Sequence, residues 1–223
     1  ESNEDEENNR KKFDSYRSDL VPNIYEGGFK TWECSHDLVD FLKSIINNFQ
    51  DTTTVLEVGC GSGLPGLELN KHKQFHVDFQ DFVSYYLCKR NHHDFNFVQN
   101  REVVEQTRKQ LKREKGNYNN RMFFGDWGDL INIIPSKYYD IILTSETIYN
   151  SGNYRKLVKL FDHTLKSEGT IYLAAKVYYF GVQGGVRQFE EFITKTGLFN
   201  TRVIQVVDAN VKREILEIKR STC

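Results

Sequence analysis

Hydrophobic and polar residues follow two different periods along this 223-residue chain. Over residues 35–49 the apolar side chains recur every three or four positions, which predicts an amphipathic helix with Ser35 as its N-cap. Residues 154–165 also predict a helix, and the segments 82–93 and 101–115 have helix-friendly compositions. The other regular segments have the character of strands.

Short runs of apolar or alternating residues predict these β-strands. Five of them are separated by helical or glycine-containing segments, at 55–58, 74–80, 121–127, 139–145 and 170–176. Two more, at 201–208 and 213–220, have the form of a closing antiparallel pair. Because strands alternate with helices, we predict an α/β fold with a mostly parallel sheet and the terminal pair at one edge.

The start of the chain differs in composition from the rest. Its segment ESNEDEENNRKK is acidic, rich in asparagine and almost free of apolar residues. Such a segment cannot contribute to a core, so we expect a disordered or frayed leader over residues 1–18. The remaining length suits one domain, which we place at 19–223.

Charge and cysteine content restrict the class of protein. Acidic and basic residues nearly balance, with a formal net charge of −1, which argues against a surface built to attract nucleic acid or membranes. We therefore expect neither direct nucleic-acid binding nor membrane association. The four cysteines are scattered without a C-x-x-C pair, which indicates a reducing intracellular compartment and gives no indication of a metal site.

The segment VLEVGCGSGLPG (55–66) joins a predicted strand to a predicted helix through a glycine-rich loop. Glycines there let a ligand approach the backbone N–H groups, at the end of a parallel sheet where cofactors bind. Two cofactor patterns overlap in this loop. Gly61, Gly63 and Gly66 fit the dinucleotide pattern G-x-G-x-x-G. The other pattern, acid-x-G-x-G-x-G, begins at Glu57 and is typical of S-adenosylmethionine enzymes.

Glu57 favours the second pattern, because a carboxylate at the strand tip repels a pyrophosphate but attracts the positive charges of S-adenosylmethionine. Asp81, near the end of the next predicted strand, could bind a ribose diol under either pattern or cap the following helix. Gly125, Asp126 and Trp127 follow a further apolar run. There an acid can accept from an adenine amino group and an indole can cover the ring, although a simple turn with Trp127 in the core is an equal alternative.

Six motifs occur in the order found in one protein family. They are YEGGFKTWEC (25–34), VLEVGCGSGL (55–64), FQDF (79–82), FFGDW (123–127), DIILTSETIYN (140–150) and YYFGVQGGV (178–186). On these motifs the chain resembles the eukaryotic protein-histidine methyltransferases, a branch of the seven-stranded methyltransferase-like proteins. It looks like the members that methylate a histidine of a large-subunit ribosomal protein. The resemblance implies a Rossmann-like class I methyltransferase fold, with a seven-stranded sheet and helices on both faces.

The same resemblance implies a site for S-adenosylmethionine, with S-adenosylhomocysteine as the product. The residues that it places there are Thr31, Trp32, Glu33, Cys34, Ser35, Gly59, Gly61, Gly63, Gln80, Asp81, Phe82, Gly125, Asp126, Trp127 and Ser145. Glu57 joins them through the charge argument above. Pro65 and the charged, asparagine-rich stretch 101–120 depart from the family's usual pattern, but neither touches the motifs.

Glu146, Tyr149 and Asn150 come directly after a predicted strand. Our hypothesis is that Glu146 accepts the N–H of the non-reacting nitrogen of a substrate imidazole, while Tyr149 or Asn150 steadies the ring. The alternative is that Glu146 and Asn150 only cap and shape the loop. The wall facing the peptide would consist of Tyr179, Phe180 and Gly181.

The resemblance further implies a protein substrate. We also expect a monomer, located in the cytoplasm and in the nucleus or nucleolus. Two other functions stay open at this point. One is a protein-lysine methyltransferase, since related branches carry a similar acid-x-x-Tyr after the fourth strand. The other is a non-catalytic S-adenosylmethionine-binding chaperone for a ribosomal protein. All three bind the cofactor, and turnover separates the enzymes from the chaperone.

Overall fold

The computed structural model describes residues 31–49, 52–72, 75–82 and 120–221. Within these ranges seven strands form one sheet. The strands are β1 (Thr53–Val58), β2 (Phe75–Asp81), β3 (Met122–Phe124), β4 (Tyr139–Ser145), β5 (Leu165–Lys176), β6 (Phe199–Val207) and β7 (Arg213–Arg220). The α-helices in the same ranges are α1 (Glu33–Ile45), α2 (Leu64–Asn70), α3 (Trp127–Leu130), α4 (Tyr154–Thr164) and α5 (Val186–Lys195).

The strands are arranged in the order β3-β2-β1-β4-β5-β7-β6. β1 lies parallel to β2 and β4, and the pairs β2–β3 and β4–β5 are also parallel, whereas β7 is antiparallel to β5 and β6. The prediction of a mostly parallel α/β sheet with an antiparallel terminal pair is therefore confirmed. The chain leaves β1 toward β2 on one side and returns to β4 on the other. A crevice consequently forms at the carboxyl ends of β1 and β4.

Helices cover both faces of the sheet, as the resemblance implied. Val55 of β1 belongs to the same buried cluster as Leu38 and Leu42 of α1. The next residue, Leu56, belongs to the opposite cluster, which includes Phe161 of α4. Successive side chains of β1 thus enter two apolar layers, which is why the strand reads as an almost continuous apolar run. Each fully buried side chain of this size contributes about 1.5–3 kcal/mol, so the strand ends that carry the loops are held firmly.

The start of α1 corrects one prediction. The helix begins at Glu33, after Trp32, so Ser35 lies inside the first turn and is not the N-cap. The hydroxyl of Ser35 is instead hydrogen-bonded to the Ser145 hydroxyl at 2.8 Å. The predicted cap was wrong because this side chain has a partner at the end of β4. The helix also ends earlier than predicted, at Ile45, and continues as one short 3-10 turn.

Other elements also differ from the sequence pattern, and β5 begins at Leu165, five residues before the predicted strand. The helix α5 was not predicted, although its buried residues Val186, Phe189 and Ile193 follow helical spacing. β3 is shorter than the predicted strand 121–127 because Asp126 turns the chain and caps α3, accepting a hydrogen bond from the backbone N–H two residues on.

The strands predicted at 139–145 and 213–220 are confirmed with the same bounds. The predicted leader over 1–18 lies outside the described residues, as do the helices predicted at 82–93 and 101–115 apart from Phe82. No helix within the described ranges is long and apolar enough to cross a membrane.

Candidate active site

A cleft opens where the carboxyl ends of β1, β2, β4 and β5 meet the start of α1. The described residues that line it are Thr31, Trp32, Ser35, Gly59, Cys60, Gly61, Ser62, Asp81, Phe82, Asp126, Trp127, Ser145, Glu146, Thr147, Tyr149, Asn153, Lys156, Lys176 and Tyr179. We call the part formed by the loops after β1, β2 and β3 the glycine-loop half. The part formed by Glu146, Thr147, Tyr149, Lys176 and Tyr179 is the Glu146 half.

The loop after β1 depends on glycine for its backbone conformation. Gly59, Gly61 and Gly63 have φ angles of 63°, 50° and 70°, in the left-handed region where side chains are strained. The loop is closed by a hydrogen bond from the Gly63 N–H to the carbonyl of Cys60 at 2.7 Å. Pro65 then occupies the first turn of α2, where a missing N–H costs nothing. The loop therefore presents backbone rather than side chains to the cleft.

Glu57 lies beneath this loop and does not line the cleft. Its side chain is buried, and its Oε2 accepts a hydrogen bond from the backbone N–H of Gly66 at 2.8 Å. Burial raises the pKa of Glu57 to about 8, with a further contribution from the charge of Asp81. The interpretation of Glu57 as a charge exposed at the strand tip needs correcting, because this carboxyl group supports the start of α2 instead.

Asp81 lines the cleft at the end of β2. Its Oδ2 accepts from the backbone N–H of Gly61 at 2.5 Å, and its Oδ1 accepts from the N–H of Phe82 at 2.6 Å. Burial raises the pKa of Asp81, although both N–H donors act in the opposite direction. Each carboxylate oxygen carries a second lone pair, so the group can still accept hydroxyl donors from a ligand.

Gln80 connects three segments from behind the cleft. It is fully buried, and its Oε1 accepts from the N–H of Gly59 at 3.1 Å and from the indole Nε1 of Trp127 at 2.9 Å. Its Nε2 donates to the carbonyl of Gly125 at 3.2 Å. The structure therefore places Gln80 and Gly125 as supports of the lining, and Trp127 in the lining itself.

The acid before this tryptophan has two partners. Asp126 accepts at Oδ1 from the Gly128 N–H at 2.8 Å, which caps α3, and at Oδ2 from the Lys156 ammonium at 2.7 Å. Trp127 is half-buried and packs against the core while also facing the cleft. The two interpretations that the sequence left open therefore coexist in the geometry, since a turn residue and a core indole also border the cleft.

The segment leading into α1 forms the opposite wall. The Thr31 hydroxyl lies 3.1 Å from that of Ser62, which bridges this wall to the glycine loop. Ser35 and Ser145 are joined in the same way across to β4, as described above. Cys34 does not line the cleft, because its side chain is fully buried in the core, where burial raises the pKa of its thiol.

Glu146 follows β4 directly and has the backbone conformation of a strained residue. Its φ is 57°, unusual for a residue other than glycine, and its backbone N–H donates to the carbonyl of Ala174 at 3.0 Å. The side chain is buried, and its Oε1 has no hydrogen-bond partner in the described part of the chain. The ammonium of Lys176 lies 3.6 Å from Oε1.

Tyr149 and Tyr179 border this carboxylate. Both are buried, their ring centroids lie 6.4 Å apart in an edge-to-face arrangement, and both line the cleft. Burial raises the pKa of Tyr179, and the charge of Glu146 raises it further. The phenol of Tyr179 therefore stays neutral, and the two rings form an apolar wall with polar tips.

Three residues of the predicted acceptor site lie elsewhere. Asn150 accepts from the N–H of Gly152 at 3.0 Å and caps the short 3-10 turn Ser151–Asn153, which is the loop-shaping alternative. Phe180 is 75% exposed, and neither it nor Gly181 is part of the lining.

Lys176 is a lining residue that sequence reasoning missed. It ends β5, and its ammonium lies 3.6 Å from both Glu33 Oε2 and Glu146 Oε1. The same ammonium lies 4.8 Å from the ring centroid of Trp32. A lysine that ends an otherwise apolar run, TIYLAAK, is the one feature of the sequence that could have pointed to it.

The glycine-loop half fits S-adenosylmethionine. The left-handed glycines let a ligand approach the backbone closely, Asp81 places an acceptor at the end of β2, and Trp127 presents an indole after β3. A hydroxylated, aromatic and cationic molecule is the kind of ligand that these groups can hold.

Solved structures of low sequence identity share the fold. The PH0226 protein from Pyrococcus horikoshii OT3 has a TM-score of 0.60 and 13% identity, with 91% of this chain and 97% of that chain covered. The CurJ carbon methyltransferase also has a TM-score of 0.60, with 12% identity and coverages of 84% and 54%. These likenesses show the class I methyltransferase fold.

Closer relatives are similar in sequence. "Histidine protein methyltransferase 1 homolog" of Mus musculus is 36% identical over 93% of this chain and 60% of its own length. The protein of the same name from Dictyostelium discoideum is 35% identical over 91% of this chain and 60% of its own length. "Histidine protein methyltransferase 1" of Saccharomyces cerevisiae is 29% identical over 78% of this chain and 58% of its own length. The chain thus spans about three fifths of these relatives.

The family model described as "Lysine methyltransferase" matches residues 23–193. This match includes the glycine loop, Asp81, Trp127, Glu146 and Lys176, which together form most of the cleft. The family and the fold imply S-adenosylmethionine as the methyl donor. The chain belongs to this lysine methyltransferase family.

Proposed function

We propose that this chain transfers a methyl group from S-adenosylmethionine to a ring nitrogen of a histidine in a protein substrate. The observation that carries the proposal is Glu146 Oε1, a buried acceptor in the cleft without a hydrogen-bond partner in the described part of the chain. A buried carboxylate oxygen without a donor is costly, which favours a ligand that brings an N–H to it. The names of the relatives from mouse, Dictyostelium and yeast support histidine as the source of that N–H.

The cofactor would be held by the glycine-loop half. When bound, S-adenosylmethionine supplies an electrophilic methyl group on a sulfonium centre. The backbone of Gly59 and Gly61 allows close approach, Asp81 accepts from ribose hydroxyls, and the Trp127 indole covers the adenine. The main task of these residues is alignment, since an in-line displacement requires donor and acceptor to be held in one geometry.

The Glu146 half would orient the acceptor. Near pH 7 a histidine with a pKa of about 6.5 is mostly neutral, and one of its nitrogens already has a lone pair. Glu146 accepts the N–H of the other nitrogen, which fixes the tautomer and therefore the nitrogen that reacts. As positive charge develops on the ring, the same carboxylate stabilises it.

Tyr149 and Tyr179 would confine the imidazole and exclude water. Both are buried, so they offer ring faces to a flat aromatic substrate.

The finer parts of the proposal rest on the sequence motifs. Their resemblance to the enzymes that modify a large-subunit ribosomal protein supports such a protein as the substrate. We further propose that the enzyme is a monomer in the cytoplasm and in the nucleus or nucleolus.

A protein-lysine acceptor is the second candidate, and the description of the matching family favours it. A lysine with a pKa near 10.4 must lose a proton before its nitrogen can attack. A lysine enzyme should therefore gain rate up to about pH 9, whereas a histidine enzyme should lose rate below about pH 6.

The test is incubation of the protein with labelled S-adenosylmethionine and a ribosomal-protein extract, followed by mass spectrometry of the labelled peptides. We expect methylhistidine in a large-subunit protein. Methyl-lysine alone would support the second candidate. If no protein in the extract acquired the label, the proposed activity would be contradicted.

A further inference from the structure

We propose that Lys176 is a specificity-determining residue that favours an uncharged histidine over a charged lysine at the Glu146 half. This inference rests on the proposed function, because it concerns the acceptor of that same reaction. It assigns to Lys176 a task in excluding the wrong substrate, rather than a part in the methyl transfer itself.

The position of the ammonium is the first observation. Lys176 Nζ lies 3.6 Å from Glu146 Oε1, close enough for an ion pair but too far for a hydrogen bond. Oε1 of the carboxylate therefore keeps its hydrogen-bonding capacity, since this oxygen has no hydrogen-bond partner in the described part of the chain. Its negative charge, however, already faces a resident cation.

The neighbours of the Lys176 ammonium hold it in one position. Its side chain is 17% exposed, it lies 4.8 Å from the Trp32 ring centroid and 5.9 Å from that of Tyr179, and Glu33 lies on its other side at 3.6 Å. Ring faces and carboxylates both attract ammonium groups. Glu33 is half exposed and screened by water, whereas the Glu146 side chain is buried. The stronger pairing is therefore with Glu146.

A histidine and a lysine substrate would interact differently with the ion pair of Lys176 and Glu146. A neutral imidazole brings an N–H to Oε1 of Glu146 and meets no like charge. The ammonium of a lysine would enter a half-buried site within a few ångströms of Lys176, where the repulsion should reduce its binding roughly ten- to a hundredfold. The Glu146 carboxylate could form a full ion pair with the substrate ammonium only if Lys176 moved away. Discrimination thus comes from a repulsive element added to an attractive one.

Two substitutions separate charge from shape at this position. Lys176→Met keeps the length of the side chain but removes the charge, and Lys176→Arg keeps the charge. Lys195→Met is the matched control, because Lys195 is a 73% exposed lysine on α5 whose loss changes the net charge equally. Each protein is incubated with labelled S-adenosylmethionine and the ribosomal-protein extract. The products are then hydrolysed, and methylhistidine and methyl-lysine are quantified.

We expect the ratio of methyl-lysine to methylhistidine to rise about tenfold or more in Lys176→Met. In Lys176→Arg and Lys195→Met it should stay at the wild-type value. Wild-type methylhistidine with an unchanged ratio in Lys176→Met overturns this inference and leaves the proposed function standing. A wild type that makes methyl-lysine alone, or no product, removes the proposed function and this inference with it.

A binding measurement on the wild type covers the case in which Lys176→Met fails to fold. Imidazole and n-butylamine are titrated by NMR at about pH 8, where imidazole is neutral and the amine is charged. Imidazole should shift the resonances of the Glu146 half at roughly tenfold lower concentration than the amine. Equal binding of the two probes would overturn the inference without any reference to turnover.

Discussion

The acids on the two sides of the cleft differ in their hydrogen bonding. Beneath the glycine loop Glu57 accepts from the N–H of Gly66, and in the glycine-loop half Asp81 accepts from two backbone N–H groups. In the Glu146 half, Oε1 of Glu146 meets no hydrogen-bond donor among the described residues, and Lys176 lies beside it at ion-pair distance.

The difference shows which half has its hydrogen bonds complete in the absence of a substrate. A carboxylate satisfied by backbone N–H groups stabilises its loop whether or not a ligand is present. A buried carboxylate oxygen without a donor costs roughly 1–3 kcal/mol until something donates to it. The glycine-loop half is therefore a preformed support, whereas the Glu146 half keeps an incomplete hydrogen bond for its ligand.

Replacing Glu146 should produce the largest effect, because it removes the incomplete acceptor. Glu146→Gln keeps the shape but loses the charge, so the rate of methyl transfer should fall by a factor of about ten to a thousand. Affinity for S-adenosylmethionine should stay at the wild-type value, since the glycine-loop half is untouched. Single-turnover rates at saturating substrate and calorimetric titration of the cofactor measure the two quantities.

A Glu146→Gln enzyme with the wild-type single-turnover rate would leave Glu146 as a loop-shaping residue. The difference in hydrogen bonding between the two halves would then affect stability alone and not the reaction. Asn150→Ala is a suitable control, because Asn150 caps the neighbouring turn without lining the cleft. It should reduce stability by about 1 kcal/mol with little effect on the rate.

Glu57 tests the preformed half through its pH dependence. Its pKa rises from the ordinary 4.5 to about 8 in the folded protein. The folded state therefore holds a proton that the unfolded state releases, and stability falls as the pH rises from 4.5 toward 8. Glu57→Gln removes this dependence. Relative to the wild type, the free energy of unfolding of the variant should rise by roughly 4 kcal/mol between about pH 5 and pH 8.5.

Chemical unfolding at several pH values measures that difference. Glu191→Gln is the matched control, because Glu191 is an exposed acid on α5 and its loss should not create a growing difference with pH. A constant difference between Glu57→Gln and the wild type would mean that Glu57 is ionised beneath the loop at neutral pH.

Asp81 tests whether the preformed half also binds ligand. Asp81→Ala should weaken S-adenosylmethionine binding by about 1–3 kcal/mol, because ribose hydroxyls lose a charged acceptor. Asp81→Asn keeps one acceptor oxygen and should lose less. Calorimetry on the folded variants provides the measurement, and unchanged affinity in both would restrict Asp81 to holding Gly61 and Phe82.

Trp127 should give the smallest effect. Trp127→Phe keeps an aromatic ring but loses the hydrogen bond to Gln80, which should reduce stability by about 0.5–1.5 kcal/mol. Cofactor affinity should change less than about threefold, since the ring face remains. A thermal melt beside a binding curve records both. A large loss of affinity in this variant would show that the indole N–H, rather than the ring, determines binding.

Local patterns predicted the scaffold well and the Glu146 half poorly. The bounds of β4 and β7 follow from continuous or alternating apolar runs, which depend on neighbours in sequence. Ser35 was misassigned as a cap because its hydroxyl partner, Ser145, is 110 positions away.

Sequence reasoning missed Lys176 and gave the side chain of Glu57 the wrong surroundings, for related reasons. The position of Lys176 beside Glu146 follows from the register of β5 on β4, in which Ala174 pairs with Ser145. That register cannot be predicted from any short stretch of the sequence. The sequence placed Glu57 correctly at a strand end, but the direction of its side chain depends on the packing of α2 above it.

The antiparallel pairing of β7 on β5 has a consequence for the limits of the domain. Seven residues of β5, from Thr170 to Lys176, are paired with β7, which lies beyond residue 193 where the family match ends. Without that partner, β5 would be an open edge with a row of unpaired N–H and C=O groups, a template for intermolecular aggregation. The strands β7 and β6 therefore cover the edge of the strand that ends at Lys176, so a domain cut at the end of the family match would leave that edge open.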